Sequence, residues 1–281
     1  MIVRLPQQAA VDVWAVAADG RRLAGAASGV LDVPDGAVLE VRGRRRARAQ
    51  LAWLTELSIP VVSIDVRRSR VNAYDLMAAA SLPSLAVLTA AGDVIDRSVV
   101  AAISQAPNLA VLQLTAPALR AGDLLPLRAA GRLRQVRLEV PQVPAAEVVE
   151  VLGQRQLVTF GLSEPRMTAG LFDQVATLWP LREMAVAVDY LDRAMLSVVR
   201  RLSGLGQLAL DARWAHVTAL DVTELVCGLP GLRQLELTQA AKPIATELLL
   251  GALWLRPGLC VNGLTMTPQA TARFIERWAE Q

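Results

Sequence analysis

Apolar residues return along this chain in one short phrase, Leu-x-x-φ-x-φ, where φ is apolar. It reads LAVLQL from Leu109, LRQVRL from Leu133, LVTFGL from Leu157, LREMAV from Leu181 and LGQLAL from Leu205, each opening 24 residues after the last. The second half of the phrase alternates with period 2, which predicts a short strand with one buried face. The segments between phrases are rich in Ala, Leu and Val at helical spacing: RSVVAAISQ (97–105), AAEVVEVLG (145–153), LFDQVATLW (171–179) and AMLSVVRRL (194–202). A strand and a helix of two to three turns, repeated at a fixed period, predict a stacked array. No unit can bury its own apolar face, so neighbours must share a continuous core.

The phrase extends in both directions. Downstream it recurs as LRQLEL from Leu232 and LCVNGL from Leu259, at steps of 27. Upstream it recurs as LAVLTA from Leu85 and IPVVSI from Ile59. A 23-residue register then aligns WAVAADGRR (14–22), AVLEVRGRR (37–45) and PVVSIDVRR (60–68). This predicts about eleven units in a single domain over residues 1–281. Residues 1–35 are expected to be N-terminal capping or degenerate repeats. Residues 266–281 are expected to be a C-terminal capping helix, with Thr267 as N-cap, Pro268 at the first helical position and Phe274, Ile275 and Trp278 on one face. Asp221 and Glu224 read as a capping box ahead of ELVCGL.

The phrases and their spacing resemble the leucine-rich repeat family, near the short helical repeats of the ribonuclease-inhibitor type, over roughly residues 10–265. The resemblance implies an α/β solenoid, a horseshoe or arc, with a parallel sheet on the concave side and helices on the convex side. One feature departs from the family. The position that usually carries Asn is occupied here by Pro117, Pro141, Pro165, Asp189 and Arg213, so the asparagine ladder is missing. Proline fixes φ and removes a backbone donor, which is a different solution to the same turn.

Composition narrows the chemistry. Apolar residues make up 53% of the chain with 4% aromatic, which suits a core of aliphatic layers. No uninterrupted apolar run reaches the roughly 18 residues of a membrane span. The opening MIVRLPQQAAVDVWAVAADG lacks the clean apolar stretch of a signal peptide, so a cytoplasmic location is expected. Cys227, at a helix end, and Cys260, in a strand phrase, are expected to be buried free thiols. His216 is the single histidine, so neither a histidine-rich metal site nor a Cys/His ligand set can be assembled. There is no phosphate loop and no G-x-S-x-G elbow. Asp189 and Asp192 fall where a following helix needs a cap. No catalytic residue, metal ligand or cofactor is expected.

Two surfaces remain as places to bind a partner. In a leucine-rich repeat the third and fifth residues of each phrase face the concave side. Here they form a mildly polar track that includes Gln113, Gln135, Arg137, Thr159, Glu183, Gln207, Gln234 and Glu236. The second surface is basic. Arg21, Arg22, Arg44, Arg45, Arg67 and Arg68 recur at steps of 23, so stacked units would line them along one edge, joined by Arg42, Arg46, Arg48 and Arg70. Residues 1–72 hold eleven arginines against seven acids, whereas the remainder is nearly balanced. Asp19, Glu40 and Asp65 are placed to neutralise part of this edge. The expected function is a non-catalytic protein–protein interaction scaffold. The alternative is a binder of an anionic partner, whether acidic protein, nucleic acid or lipid headgroup, through the arginine edge. No small-molecule substrate is expected.

Overall fold

A computed structural model describes every residue except 1, 18, 27, 241, 246–248, 257 and 266–281, so the expected C-terminal helix lies outside the described residues. The chain divides into two compact units, Met1–Arg155 and Gln156–Gln281.

In the first unit, strands β5 (Val38–Gly43), β6 (Val61–Asp65), β7 (Val87–Ala91), β8 (Val111–Thr115) and β9 (Gln135–Glu139) pair in parallel, each with the next in sequence. The 24-residue step appears directly as register: Leu88 faces Leu112 and Leu112 faces Val136. Alternation does the rest. On β8, Leu112 and Leu114 are buried while Val111, Gln113 and Thr115 are half-exposed. The helices behind the sheet are α1 (Ala73–Ala80), α2 (Arg97–Ser104) and α3 (Ala145–Leu152). On α2, Val99, Val100 and Ile103 are buried, one stripe of the helix.

The second unit repeats the scheme. Strands β10 (Thr159–Met167), β11 (Glu183–Leu191), β12 (Gln207–Ala215), β13 (Gln234–Gln239) and β15 (Cys260–Val261) are parallel. Helices α4 (Ala169–Leu178), α5 (Arg193–Val199), α6 (Ala219–Gly228) and α7 (Leu250–Leu255) lie between them in sequence, and the short strands β14 (Lys242–Pro243) and β16 (Leu264–Thr265) add antiparallel pairs at the end. Strands β10, β11 and β12 each run for nine residues, well beyond the six-residue phrase.

The amino-terminal segment departs from the expected repeat. Strands β2 (Val11–Val16) and β3 (Arg22–Ala26) form an antiparallel hairpin, β2 pairs antiparallel with β5, and β1 (Ile2–Leu5) pairs antiparallel with β4 (Gly29–Asp32). The connection after Val16 is too short for a parallel crossover, which needs a dozen or more residues. It closes as a turn, with Gly20 at φ +82° and Ala17 N–H donating to Arg21 O at 2.9 Å. The 23-residue register is therefore real between β5 and β6, where Arg42 faces Asp65, but not between β2 and β5.

Smaller corrections follow from the same registers. Ile64, not Val62, faces Leu88, so that phrase opens at Val61 rather than Ile59. The last step is 26 residues, because Leu235 faces Val261. Two connections carry only a 3-10 segment, Ala52–Glu56 and Leu125–Ala129. In the second, Gly122 and Pro126 interrupt any longer helix. The capping box sits three residues earlier than expected. Thr218 is the N-cap, its hydroxyl accepting from Asp221 N–H at 3.2 Å while the Asp221 carboxylate accepts from Thr218 N–H at 2.8 Å. Both cysteines are free thiols, but Cys227 is exposed on the outer side of α6 and Cys260 is half-buried.

Neighbouring units are tied together by backbone. The first amide after a strand donates to a carbonyl of the next unit: Val66 to Thr89, Gly92 to Thr115 and Ala116 to Glu139, at 2.8 to 3.0 Å. Units are also tied by side chains. The buried Asp75 carboxylate accepts from Leu51 N–H at 2.7 Å and Ala52 N–H at 3.0 Å, 23 to 24 residues earlier. Asn262 accepts from Leu237 N–H and donates to Leu237 O.

Two outcomes follow for stability. A Cβ on Gly43 would lie 2.0 Å from Ser69 Oγ and 2.8 Å from Ser69 Cβ, so turning the serine rotamer does not make room. Gly43→Ala should cost about 1–3 kcal/mol in urea unfolding, and Ser69→Gly in the same chain should recover most of it. Two helix-capping carboxylates also report on pH. Asp96 is held below the ordinary carboxylate range by the Ser98 hydroxyl and the Val99 amide, and Asp221 by the Thr218 amide and hydroxyl with help from Arg193. Their stabilisation is present above the ordinary value of about 4 and is lost as pH falls through the lower folded values. Asparagine caps well but does not titrate. The Asp96→Asn/Asp221→Asn chain should therefore lose less stability than the parent between pH 5 and 2, read from urea midpoints.

Candidate functional sites

The sheet face opposite the helices carries the expected track, and register sets its order. In the first unit one row runs Asp12, Arg42, Asp65, Thr89, Gln113, Arg137, each facing the next. In the second unit Thr159, Glu183, Gln207 and Gln234 form one row, and Ala185, Ala209 and Glu236 another. Gln135, Arg137, Gln207 and Glu236 are exposed, and Gln113, Glu183 and Gln234 are half-buried. Thr159 is a correction: it is buried, with its hydroxyl donating to Glu183 Oε2 at 3.3 Å, because the longer glutamate on the next strand lies against it.

The arginines separate into two sets. Those near the sheet face are paired: Arg21 with Asp19 (2.6 Å), Arg22 with Glu40 (3.6 Å), Arg42 with Asp65 (3.8 Å), Arg44 with Asp12 (3.0 Å) and Arg67 with Asp65 (3.0 Å). The expected single edge is broken, because β2 runs antiparallel to β5. Arg22 faces Val16, which faces Val38 at the start of β5, whereas Arg44 and Arg45 follow its end. Arg21 and Arg22 thus lie at the opposite end of the strands from the other pairs. Among the described residues, Arg45, Arg46, Arg48, Arg68 and Arg70 are exposed and have no carboxylate within ion-pair distance. They occupy the loops after β5 and β6.

Trp14 was not singled out in the sequence. It faces Glu40 on β5 and Gly25 on β3. Its ring lies over the glycine, where a Cβ would come within 2.6 Å of Cδ1. The Arg22 guanidinium sits 4.4 Å from the ring centroid and that of Arg42 5.8 Å. Each such contact contributes about 0.5–1 kcal/mol at an exposed site. With Glu40 and Asp65 beside them, these groups make a self-satisfied cluster that ties β3, β2 and β5 together.

A second feature missed in the sequence is the aromatic pair Tyr190 and Trp214. They face each other across β11 and β12 and are 58% and 50% exposed. On β11 the buried Met184, Val186 and Val188 are followed by the exposed Asp189 and Tyr190 and then by the buried Leu191, and on β12 the exposed Arg213 and Trp214 follow the buried Leu208, Leu210 and Ala212. The two rings are exposed beside a core that resumes at the fully buried Leu191. Arg166 steadies this part of β11 by donating to Val188 O at 2.8 Å. The signal was present in MAVAVDY and LALDARW, where period-2 alternation runs past the six-residue phrase.

In the second unit a groove of about 730 Å³ opens where the helices return to the strands, lined by Trp179, Arg182, Glu183, Arg201, Gly206 and Arg233 among others. Arg201 is held by Asp173 at 2.7 Å. The Trp179 ring packs on Phe160, and its buried Nε1 has no partner among the described residues. His216 is exposed, and no group of three His, Cys, Asp or Glu side chains converges among the described residues. None of the described helices is long and apolar enough to cross a membrane.

No family model matches the chain, and a search of curated proteins finds no match. Among solved structures, the crystal structure of an internalin (inlF) from Listeria monocytogenes is similar over 75% of this chain and 71% of that one, at 15% identity and a TM-score of 0.38.

Proposed function

We propose that this chain is a non-catalytic protein-interaction scaffold of the leucine-rich-repeat kind, and that the carboxy-terminal ends of β11 and β12 are a principal contact surface. The observation that carries this reading is the exposed pair Tyr190 and Trp214. Large aromatic side chains dominate interface energetics because they bury much area at little entropic cost. These two sit side by side at the strand spacing of about 4.8 Å. The strands beneath are fixed by backbone pairing and by Arg166, so the rings are presented by a rigid support, which lowers the ordering cost of binding.

The track along the sheet face supports the same reading more weakly. It is polar, shallow and self-bonded in places, as in the Gln234 to Glu236 hydrogen bond at 2.9 Å. It suits the polar rim of an interface rather than its centre.

The test compares the full chain with a Tyr190→Ser/Trp214→Ser variant as bait in extract of its native host. Both rings are exposed, so urea unfolding should shift by about 0.5 kcal/mol or less. A partner retained stoichiometrically by the parent should be lost from the variant. Retention of the same partner by both chains would remove the aromatic pair from the interface, and no stoichiometric partner for either would count against a scaffold.

A further inference from the structure

We propose that the loops after β5 and β6 bind single-stranded nucleic acid, with Arg45, Arg46, Arg48, Arg68 and Arg70 on its phosphates and Tyr74 stacked on a base. This surface belongs to the first unit alone and does not rest on Tyr190 and Trp214.

The nearby acids are already committed. Asp12 holds Arg44, and Asp65 holds Arg42 and Arg67. Five exposed guanidiniums remain on two adjacent loops. Backbone bonds prevent these loops from separating. Arg46 N–H donates to Arg68 O, Arg70 N–H to Ala47 O and Ala49 N–H to Arg70 O, each at 2.8 Å, and Arg48 pairs in parallel with Arg70. Arg46 takes a positive φ of 61° within this arrangement. The backbones of Arg46 and Arg68, and of Arg48 and Arg70, are thus held side by side at about the strand spacing of 4.8 Å. Like charges this close repel, and among the described residues no carboxylate lies within ion-pair distance of these five. A ligand with several closely spaced anionic groups would relieve the repulsion.

The aromatic neighbours choose among such ligands. Tyr74 is 68% exposed, four residues beyond Arg70 and two beyond Asn72, the N-cap of α1. Trp53 is half-exposed in the preceding unit, with its indole N–H donating to Gln50 O at 3.0 Å. The two come from adjoining segments, because Asp75, next to Tyr74, holds the amides of Leu51 and Ala52, next to Trp53. Phosphate-binding arginines beside exposed rings match a single strand, whose bases are free to stack. A duplex hides its base faces, and an acidic peptide carries no regular series of flat rings to stack on them.

The test is fluorescence anisotropy of labelled 15-mer oligo-dT and oligo-rU titrated with the full chain between 50 and 200 mM salt. For five phosphate contacts the slope of log K against log salt should be about −3.5, from roughly 0.7 per contact on a single strand. Replacing Arg45, Arg46, Arg48, Arg68 and Arg70 by Ser should abolish binding. Replacing only Arg46 and Arg68 should reduce the slope by about 1.4. Arg21→Ser, at a paired position, should leave it unchanged. Tyr74→Ala should weaken binding about tenfold with the slope retained. All variants are at exposed positions, and circular dichroism checks their fold. The proposal is overturned by absence of saturable binding at 50 mM salt or by a slope insensitive to the arginine replacements. It is equally overturned if a 15-bp duplex, polyglutamate or phosphatidylserine vesicles bind as tightly as the single strand.

Discussion

A strand with alternating buried residues tolerates one pairing register. A slip of a single residue would turn Leu112 and Leu114 outward and bring Val111 and Gln113 into the core. Most other features of both units depend on this constraint. Because register is kept, Leu88, Leu112 and Val136 stack in one layer. The amide that leaves each of β6, β7 and β8 meets a carbonyl of the following unit. Surface side chains are ordered by the same rule, so residues far apart in sequence become neighbours in rows.

The repeating part of the fold was legible because its signal is redundant. Five phrases at one spacing agree with one another, and the segments between them have helical periodicity. Where the signal was single, it misled. The phrase WAVAADGRR matches the 23-residue register in composition, yet Asp19 and Gly20 close a hairpin immediately after Val16. Apolar alternation is the same for parallel and antiparallel strands. Only the length of the connection separates them, and here it was outweighed by apparent register. The capping box was misplaced for a similar reason: both Thr218 and Asp221 are good N-caps, and only backbone geometry distinguishes N-cap from N3.

The surface was legible in part. The arginine-rich loops could be located, but not which arginines keep their charge available, since Asp12 becomes the partner of Arg44 only through an antiparallel pairing that the sequence did not suggest. Trp14 stood unremarked between Val13 and Ala15, both of which are buried. It lies on the opposite face because Gly25 leaves room for its ring. Tyr190 and Trp214 were hidden by a phrase cut at six residues, although their alternation continued in plain view.

The Asp75 carboxylate, which binds amides of the preceding unit, gives the first unit a direction. During synthesis the segment around Leu51 leaves the ribosome with two amides whose partner has not yet been made. It can settle only after the chain has grown past residue 75. The same dependence limits how such an array can evolve. A copy of residues 51–72 inserted elsewhere would arrive without its acceptor, so a duplication that preserves the core must carry the start of the next unit with it. The length of an inheritable module is then set by this hydrogen bond and not by the strand–helix boundary.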